Sequence, residues 1–407
     1  MGNKDGLAPA IVAALGDTDA SHPLVDVFGG MCSVAGAMAT TDRPAWANDI
    51  QHFAVLAARC MLTSRKGPPD RCEMEKRLAP WYRTNLAALR ERFGDGVEAE
   101  RRALRSGDSA MYGAGGDAWP QVGSDAEFAA EAGRLRMDPT AFPYRLATIT
   151  FSWGYFGVAQ AMQLDSLRFA IDRARGEKQI SGPEADWCRL ALLGAASRIS
   201  SSPGHFAQYL RGDSTASLDR IQLQRKRGAW DWCLAGLDRL EPYGNVEWRR
   251  QNRVFRQDTD GDKLWTLLDA AVGGKAIVYA DPPYSKEHYS RYYHVLESLE
   301  RYDYPQASGV GRYRPDRFRT PFSVKTEVEG ALRDLCGRVA DRGWTLALSY
   351  PNSGLLTAGL GLNLGDVLHE KFSDVRLAFE TGTEHSTLGG RHGDSRKQVS
   401  EYLWIAS

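Results

Sequence analysis

No stretch of the 407 residues is apolar for long enough to cross a membrane as a helix, and no charged-then-apolar leader pattern opens the chain. The six cysteines (Cys32, Cys60, Cys72, Cys188, Cys233 and Cys336) are scattered, without one C-x-x-C pair. That argues against a zinc site or a disulfide framework, so no metal is expected. Together these absences point to a reducing, cytoplasmic setting away from membranes. Net charge is missing too, with 51 Lys and Arg against 51 Asp and Glu. Chains that hold nucleic acid often carry an overall positive charge, so any such surface here has to be local. There is no internal repeat and no low-complexity tract. The length and the 43% hydrophobic content suit a globular chain of two or three structural units, or one core with a large insertion.

What is present centres on Ala276-Ile277-Val278-Tyr279-Ala280-Asp281-Pro282-Pro283-Tyr284. The apolar run rich in β-formers reads as a buried strand. Two prolines cannot donate to a sheet ladder, so the chain turns out there. A carboxylate, a rigid carbonyl-bearing turn and an aromatic ring are left at the carboxyl end of a strand, where open α/β sheets bind ligands. Methyl transfer to an exocyclic amine suits such a group. Asp281 and the carbonyl of Pro282 can accept the two N–H bonds of an adenine amine and localise its lone pair, while Tyr284 stacks on the base. A strand-ending turn with an exposed acid is the bland alternative.

Two earlier stretches are organised in the same way. Leu24-Val25-Asp26-Val27-Phe28-Gly29-Gly30, followed by the small residues Ser33 to Ala39, reads as a strand, a glycine turn and a helix. It lacks the G-x-G-x-x-G spacing, and a tight turn without a ligand competes with the binding reading. The strand Ala45 to Ile50 closes on Asp49, about 20 residues after the turn, where an acid of a βαβ unit accepts the ribose hydroxyls of an adenosine cofactor. A helix N-cap is the alternative for Asp49. The opening Gly2-Asn3-Lys4 allows a tight turn near a ligand and a cation for a carboxylate, or is simply a solvated end. Val254 to Asp258 reads as a short strand ending in an acid.

From about residue 61 the pattern becomes polar and helix-rich. Gly107 to Ser124 reads as loop, and Phe151 to Arg175 as one aromatic-rich helix. Basic residues cluster at Arg225-Lys226-Arg227, at Arg249, Arg250 and Arg253, and at Arg312, Arg314, Arg317 and Arg319, with aromatics interleaved. Each cluster is either a backbone-contacting surface or a solvated helix face. Tyr289 and Tyr292, in the aromatic stretch after Tyr284, can wall a pocket for a flipped base. The chain closes with strand-like runs Val375 to Phe379 and Glu401 to Ile405. Between them lies a polar loop carrying Arg391, His392, Arg396 and Lys397.

Met1-Gly2-Asn3-Lys4, Val25-Asp26-Val27-Phe28-Gly29-Gly30, Asn48-Asp49-Ile50 and Asp281-Pro282-Pro283-Tyr284 occur in the order found in the Dam-like, alpha-group N6-adenine DNA methyltransferases, which the chain resembles. The glycine turn departs from that family's commoner Phe-x-Gly-x-Gly. The resemblance implies an α/β fold: a Rossmann-like class I methyltransferase sheet of seven strands with an antiparallel edge hairpin. It implies a catalytic domain split into residues 1–60 and 254–407, around an inserted, largely helical target recognition region at 61–253. It implies S-adenosyl-L-methionine as methyl donor and double-stranded DNA as partner, with a cognate restriction or phage-defence component left open. Carried over, Gly2, Asn3, Lys4, Asp26, Phe28, Gly29, Gly30, Asp49 and Asp258 would hold the cofactor, and Asp281, Pro282, Pro283 and Tyr284 would be catalytic. Arg225, Lys226, Arg227, Arg249, Arg250, Arg253, Tyr289, Tyr292, Arg312 and Arg314 are the residues expected at DNA. An RNA adenine methyltransferase and an inactive DNA-binding specificity module are the alternatives.

Overall fold

A computed structural model of the chain describes Lys4, residues 6–385 and residues 397–407. The chain forms two compact units. One comprises residues 1–66, 242–290 and 318–407, and the other residues 67–241 and 291–317. The second unit thus starts later and ends earlier than the expected insertion, and it takes in a segment from beyond the Asp-Pro-Pro-Tyr turn.

The first unit carries seven strands: β1 Leu24–Asp26, β2 Ala45–Asn48, β3 Val254–Phe255, β4 Ile277–Ala280, β5 Thr345–Pro351, β6 Val375–His385 and β7 Lys397–Ala406. They form one sheet in the order β3-β2-β1-β4-β5-β7-β6. The first five run parallel, and β7 lies antiparallel between β5 and β6. This is the α/β sheet with an edge hairpin that the sequence led us to expect. Every residue of β1, β2 and β4 is buried, because helices cover both faces. The two-residue period sends Val278 and Ala280 among Trp265, Leu332 and Val339, and Ile277 and Tyr279 among Ile11, Leu15 and Met38. The order reverses between β1 and β4, with Asp26 in register with Tyr279. The crevice beyond those two carboxyl ends is the place for a ligand.

The hairpin arms run further than the two apolar runs suggested, with pairing continuing to His385 and Lys397. The expected basic tip at Arg391, His392 and Arg396 lies outside the described residues.

The second unit is helical. Its longest helix, Arg71–Ser106, spans 36 residues and so roughly 54 Å. The Asp70 carboxylate accepts the Glu73 N–H at 2.8 Å to start it, and Gly107 at φ 67° ends it. It packs along the helix Val158–Gly176, against which Gly182–Ile199 and Ala229–Leu237 also lie. Two stretches depart from expectation. Within Gly107 to Ser124 a helix forms over Ser109–Ala118 despite its glycines. Gly115 and Gly116 lie against the Trp153 indole, where an added Cβ would come within 2.6 and 3.0 Å, so ring packing offsets their poor helix propensity. Conversely, residues 151–175 are not one helix. A turn with Trp153 at φ 54° separates Leu146–Phe151 from Val158–Gly176. Among the described residues no helix is long and apolar enough to cross a membrane, and no group of three His, Cys, Asp or Glu is placed to hold a metal.

Candidate active site

The glycine turn after β1 lies flat on β2. The Gly29 N–H donates to the Asn48 carbonyl at 2.8 Å, and a Cβ at Gly29 would stand 3.2 Å from that oxygen and from the Ala47 methyl. Gly30 takes φ +49°. The buried Asn48 side chain donates to the carbonyls of Val27 at 3.2 Å and Gln257 at 3.1 Å, and accepts the Gln257 N–H at 2.9 Å. It thereby pins the carboxyl ends of β1, β2 and β3 together. Asp49 follows, accepting the Gly30 N–H at 3.0 Å and the Gln51 N–H at 2.9 Å. The residue before the helix His52–Ala58 is Gln51, and Asp49, which accepts its N–H, also braces the glycine turn. Phe28 packs edge-on against Phe322, with ring centroids 5.3 Å apart. Asp258 is exposed beyond β3 and accepts the Asp260 N–H at 3.1 Å. Gly2 and Asn3 lie outside the described residues.

Asp281-Pro282-Pro283-Tyr284 leaves the carboxyl end of β4, with Pro282 buried and the other three half-buried. The Tyr284 carbonyl accepts the Leu355 N–H at 2.9 Å, and its hydroxyl is hydrogen-bonded with Tyr289. The Lys4 ammonium stands 3.2 Å from Asp281 Oδ1 and bonds Glu401 Oε1, which also accepts the Ser349 hydroxyl at 2.8 Å. The antiparallel run of β7 explains this meeting. It sets Glu401 opposite Pro351, at the carboxyl end of β5. Lys4, expected at a ligand carboxylate, thus bridges two carboxylates of the protein.

The electrostatics of the crevice follow. Burial alone would lower the pKa of Lys4, but the Asp281 and Glu401 carboxylates outweigh it and raise it, so the ammonium stays charged. Asp26, 3% exposed, is pushed up to about 8 by burial, against the pull of the Phe28 N–H at 3.2 Å, with Asp281 and Asp49 adding to the rise. At neutral pH Asp26 therefore keeps a proton, while Asp281 faces a cation. Glu401 and Ser349 were not singled out from the sequence as site residues. The available signal was the acid opening the run Glu401-Tyr402-Leu403-Trp404-Ile405, since a carboxylate buried in a strand needs a cation.

Most of the basic residues expected at DNA have structural work. In the first unit, Arg249 is buried and donates to the carbonyls of Ser64 at 2.7 Å, Tyr243 at 3.0 Å and Gly244. Its helix, Val246–Gln251, leads into the amino end of β3, opposite to the crevice. Arg250 pairs with Glu247 at 2.8 Å, and Arg253 lies over the Trp46 ring. In the second unit, Arg225 pairs with Glu100 at 2.9 Å, both all but buried. Arg312, 4% exposed, donates to the carbonyls of Thr150 and Ser152 and lies over Tyr209. Arg314 is clamped between Asp303 and Asp316 at 2.7 and 2.8 Å. Tyr292 is buried against His205. Arg227 bonds the Arg198 carbonyl and lies over Trp232, and Lys226 is exposed. These placements correct the expectation for Arg249, Arg225, Arg312, Arg314 and Tyr292, whose groups are turned inward.

A family model described as D12 class N6 adenine-specific DNA methyltransferase matches residues 264–335. Over these residues the chain is similar to that family. The matched segment contains β4, the Asp-Pro-Pro-Tyr turn and the start of the helix Val328–Ala340. Among curated proteins, the chain is 27% identical over 203 residues to the type II methyltransferase M.FokI of Planomicrobium okeanokoites, covering 50% of this chain and 27% of the relative. It is 25% identical over 252 residues to the modification methylase LlaI of Lactococcus lactis subsp. lactis, covering 61% and 36%. It is 23% identical over 212 residues to the type II methyltransferase M.NlaIII of Neisseria lactamica, covering 50% and 53%. The chain thus spans from about a quarter to about half the length of these relatives. No solved structure matches the chain.

Proposed function

We propose that the chain transfers a methyl group from S-adenosyl-L-methionine to the N6 amine of adenine within a specific sequence of duplex DNA, the adenine being turned out of the helix. The observation that carries this reading is Asp281-Pro282-Pro283-Tyr284 at the carboxyl end of β4, beside the glycine turn of β1 and inside the family-matched segment. The first unit would be catalytic and the second would read the target.

The residues of the crevice suit the cofactor. Gly29, where a Cβ would stand tight against β2, lets its turn lie close to that strand, and Asp49 beside it offers a carboxylate to ribose hydroxyls. Asp258 offers an exposed acid beyond β3. When bound, S-adenosyl-L-methionine supplies an electrophilic methyl group whose departure leaves a neutral thioether. The chain's own part is acceptance and positioning. Asp281 and the Pro282 carbonyl take the two N–H bonds of the amine and sharpen its lone pair, and once the nitrogen has bonded the methyl carbon as the C–S bond breaks, one of those protons passes by way of the Asp281 carboxylate to solvent. Tyr284 stacks on the base, a contact worth roughly 1–3 kcal/mol. Lys4 sets a cation 3.2 Å from the accepting Asp281 carboxylate. Most of the acceleration then comes from holding two reactants in line.

The test is transfer of label from S-adenosyl-L-methionine to unmethylated genomic DNA, with nucleoside analysis. N6-methyladenine should appear with the native chain and vanish with Asp281→Ala, while DNA binding persists. Label in RNA alone, or loss of DNA binding with Asp281→Ala, would refute the assignment.

A further inference from the structure

Lys76, Arg83 and Arg90 recur every seven residues on the helix Arg71–Ser106, and Arg101 continues the row. Seven residues make two turns less about 20°, so the four cations share one narrow face. All four are exposed, and Cys72, Ala87, Gly94 and Val97 complete that face without an acid. Of the acids of the same helix, Glu73, Glu91, Asp95 and Glu98 lie along the arc on one side, Glu75 flanks the row on the other, and Glu100 is buried against Arg225. The row from Lys76 to Arg101 is about 37 Å long, close to one turn of B-form DNA.

Several other cations of this unit are neutralised instead. Arg77 is tied to Glu73, Arg92 to Glu131, Arg173 to Glu177, and Arg314 to two aspartates. Arg101 itself leans on Glu98. Lys76, Arg83 and Arg90 pair with no carboxylate among the described residues. Neighbours in the row stand about 10 Å apart, near the Debye length at 0.1 M salt, so each is largely alone in water. A polyanion with a charge every ~1.7 Å along its axis would bring them counter-charge.

We infer that this face of the long helix holds the phosphate backbone of duplex DNA. The inference rests on the proposed function and adds to it the surface that orients the substrate. Contacts of this kind fix orientation and carry no sequence information. Three phosphate contacts contribute about 2.7 to the slope of log affinity against log salt.

The experiment compares three full-length proteins on an unmethylated duplex between 50 and 200 mM salt. They are the native chain, Lys76→Ala/Arg83→Ala/Arg90→Ala, and a control of equal charge, Lys263→Ala/Lys275→Ala/Lys371→Ala, whose lysines are exposed on the first unit. The row variant should lose about 2.7 of slope, so that the native chain gives up about 40-fold more affinity across that range. An unchanged slope, or an equal fall in the control, overturns the inference while leaving the proposed function standing. A native chain that neither binds nor methylates DNA overturns both.

Discussion

Lys4→Met tests the crevice most directly. Glu401 is fully buried, and the Lys4 side chain that neutralises it is 14% exposed. Removing one partner of a buried ion pair costs about 3–5 kcal/mol, because the other charge is stranded. The lower end applies here, since Glu401 keeps the Ser349 hydroxyl and Asp281 is partly open to water. For a unit of about 200 residues, about 3 kcal/mol lowers Tm by roughly 6–12 °C. Lys4→Met/Glu401→Gln leaves only the partly exposed Asp281 without its cation, because the amide oxygen at 401 still accepts from Ser349, and it should recover at least about 2 kcal/mol of the loss. Linkage gives a second reading. The pKa of Lys4 is raised in the fold, so its contribution is complete below the ordinary lysine value and fades as pH climbs through the raised one. The native and Lys4→Met melting temperatures should therefore stay apart from pH 7 to 9 and converge only in stronger alkali. Additive single and double variants, or convergence near neutrality, would refute the ion-pair account.

Two other outcomes follow from buried charge. Asp26, with its pKa near 8, stabilises the fold fully below about pH 4 and loses that stabilisation as pH rises through 8. Asp26→Asn should gain on the native chain in Tm between pH 5 and 8, and a constant gap would contradict the raised value. Arg225→Ala leaves Glu100 buried without its cation and should cost about 3 kcal/mol or more in urea unfolding. It should leave the salt dependence of DNA binding unchanged, whereas a shallower slope would return Arg225 to the DNA surface.

The sheet was legible because its parallel strands are covered on both faces. Of these, β1, β2 and β4 read as short apolar runs with an acid at or just after the carboxyl end: Asp26, Asp49 and Asp281. What escaped reading depends on partners far off in sequence. Nothing local in Ser109–Ala118 says that Gly115 and Gly116 will be covered by Trp153, 37 or 38 positions on. Nothing near Glu401 says that its cation is Lys4. That pair is made by the antiparallel return of β7, a property of strand order and not of either neighbourhood.

The basic residues show the same distinction most sharply. Arg225, Lys226 and Arg227 are adjacent in sequence at the end of a helix, so successive side chains point about 100° apart. One turns inward to Glu100, one stays in solvent, and one bonds a carbonyl. A run of like charges on a helix therefore scatters its charge instead of concentrating it. Lys76, Arg83 and Arg90 are never neighbours in sequence, yet a spacing of seven collects them on one face. For a helical unit that meets a polyanion, the period of the cations carries the information and their local density does not. Opposite results in the salt titrations of the row variant and of Arg225→Ala are what that argument requires.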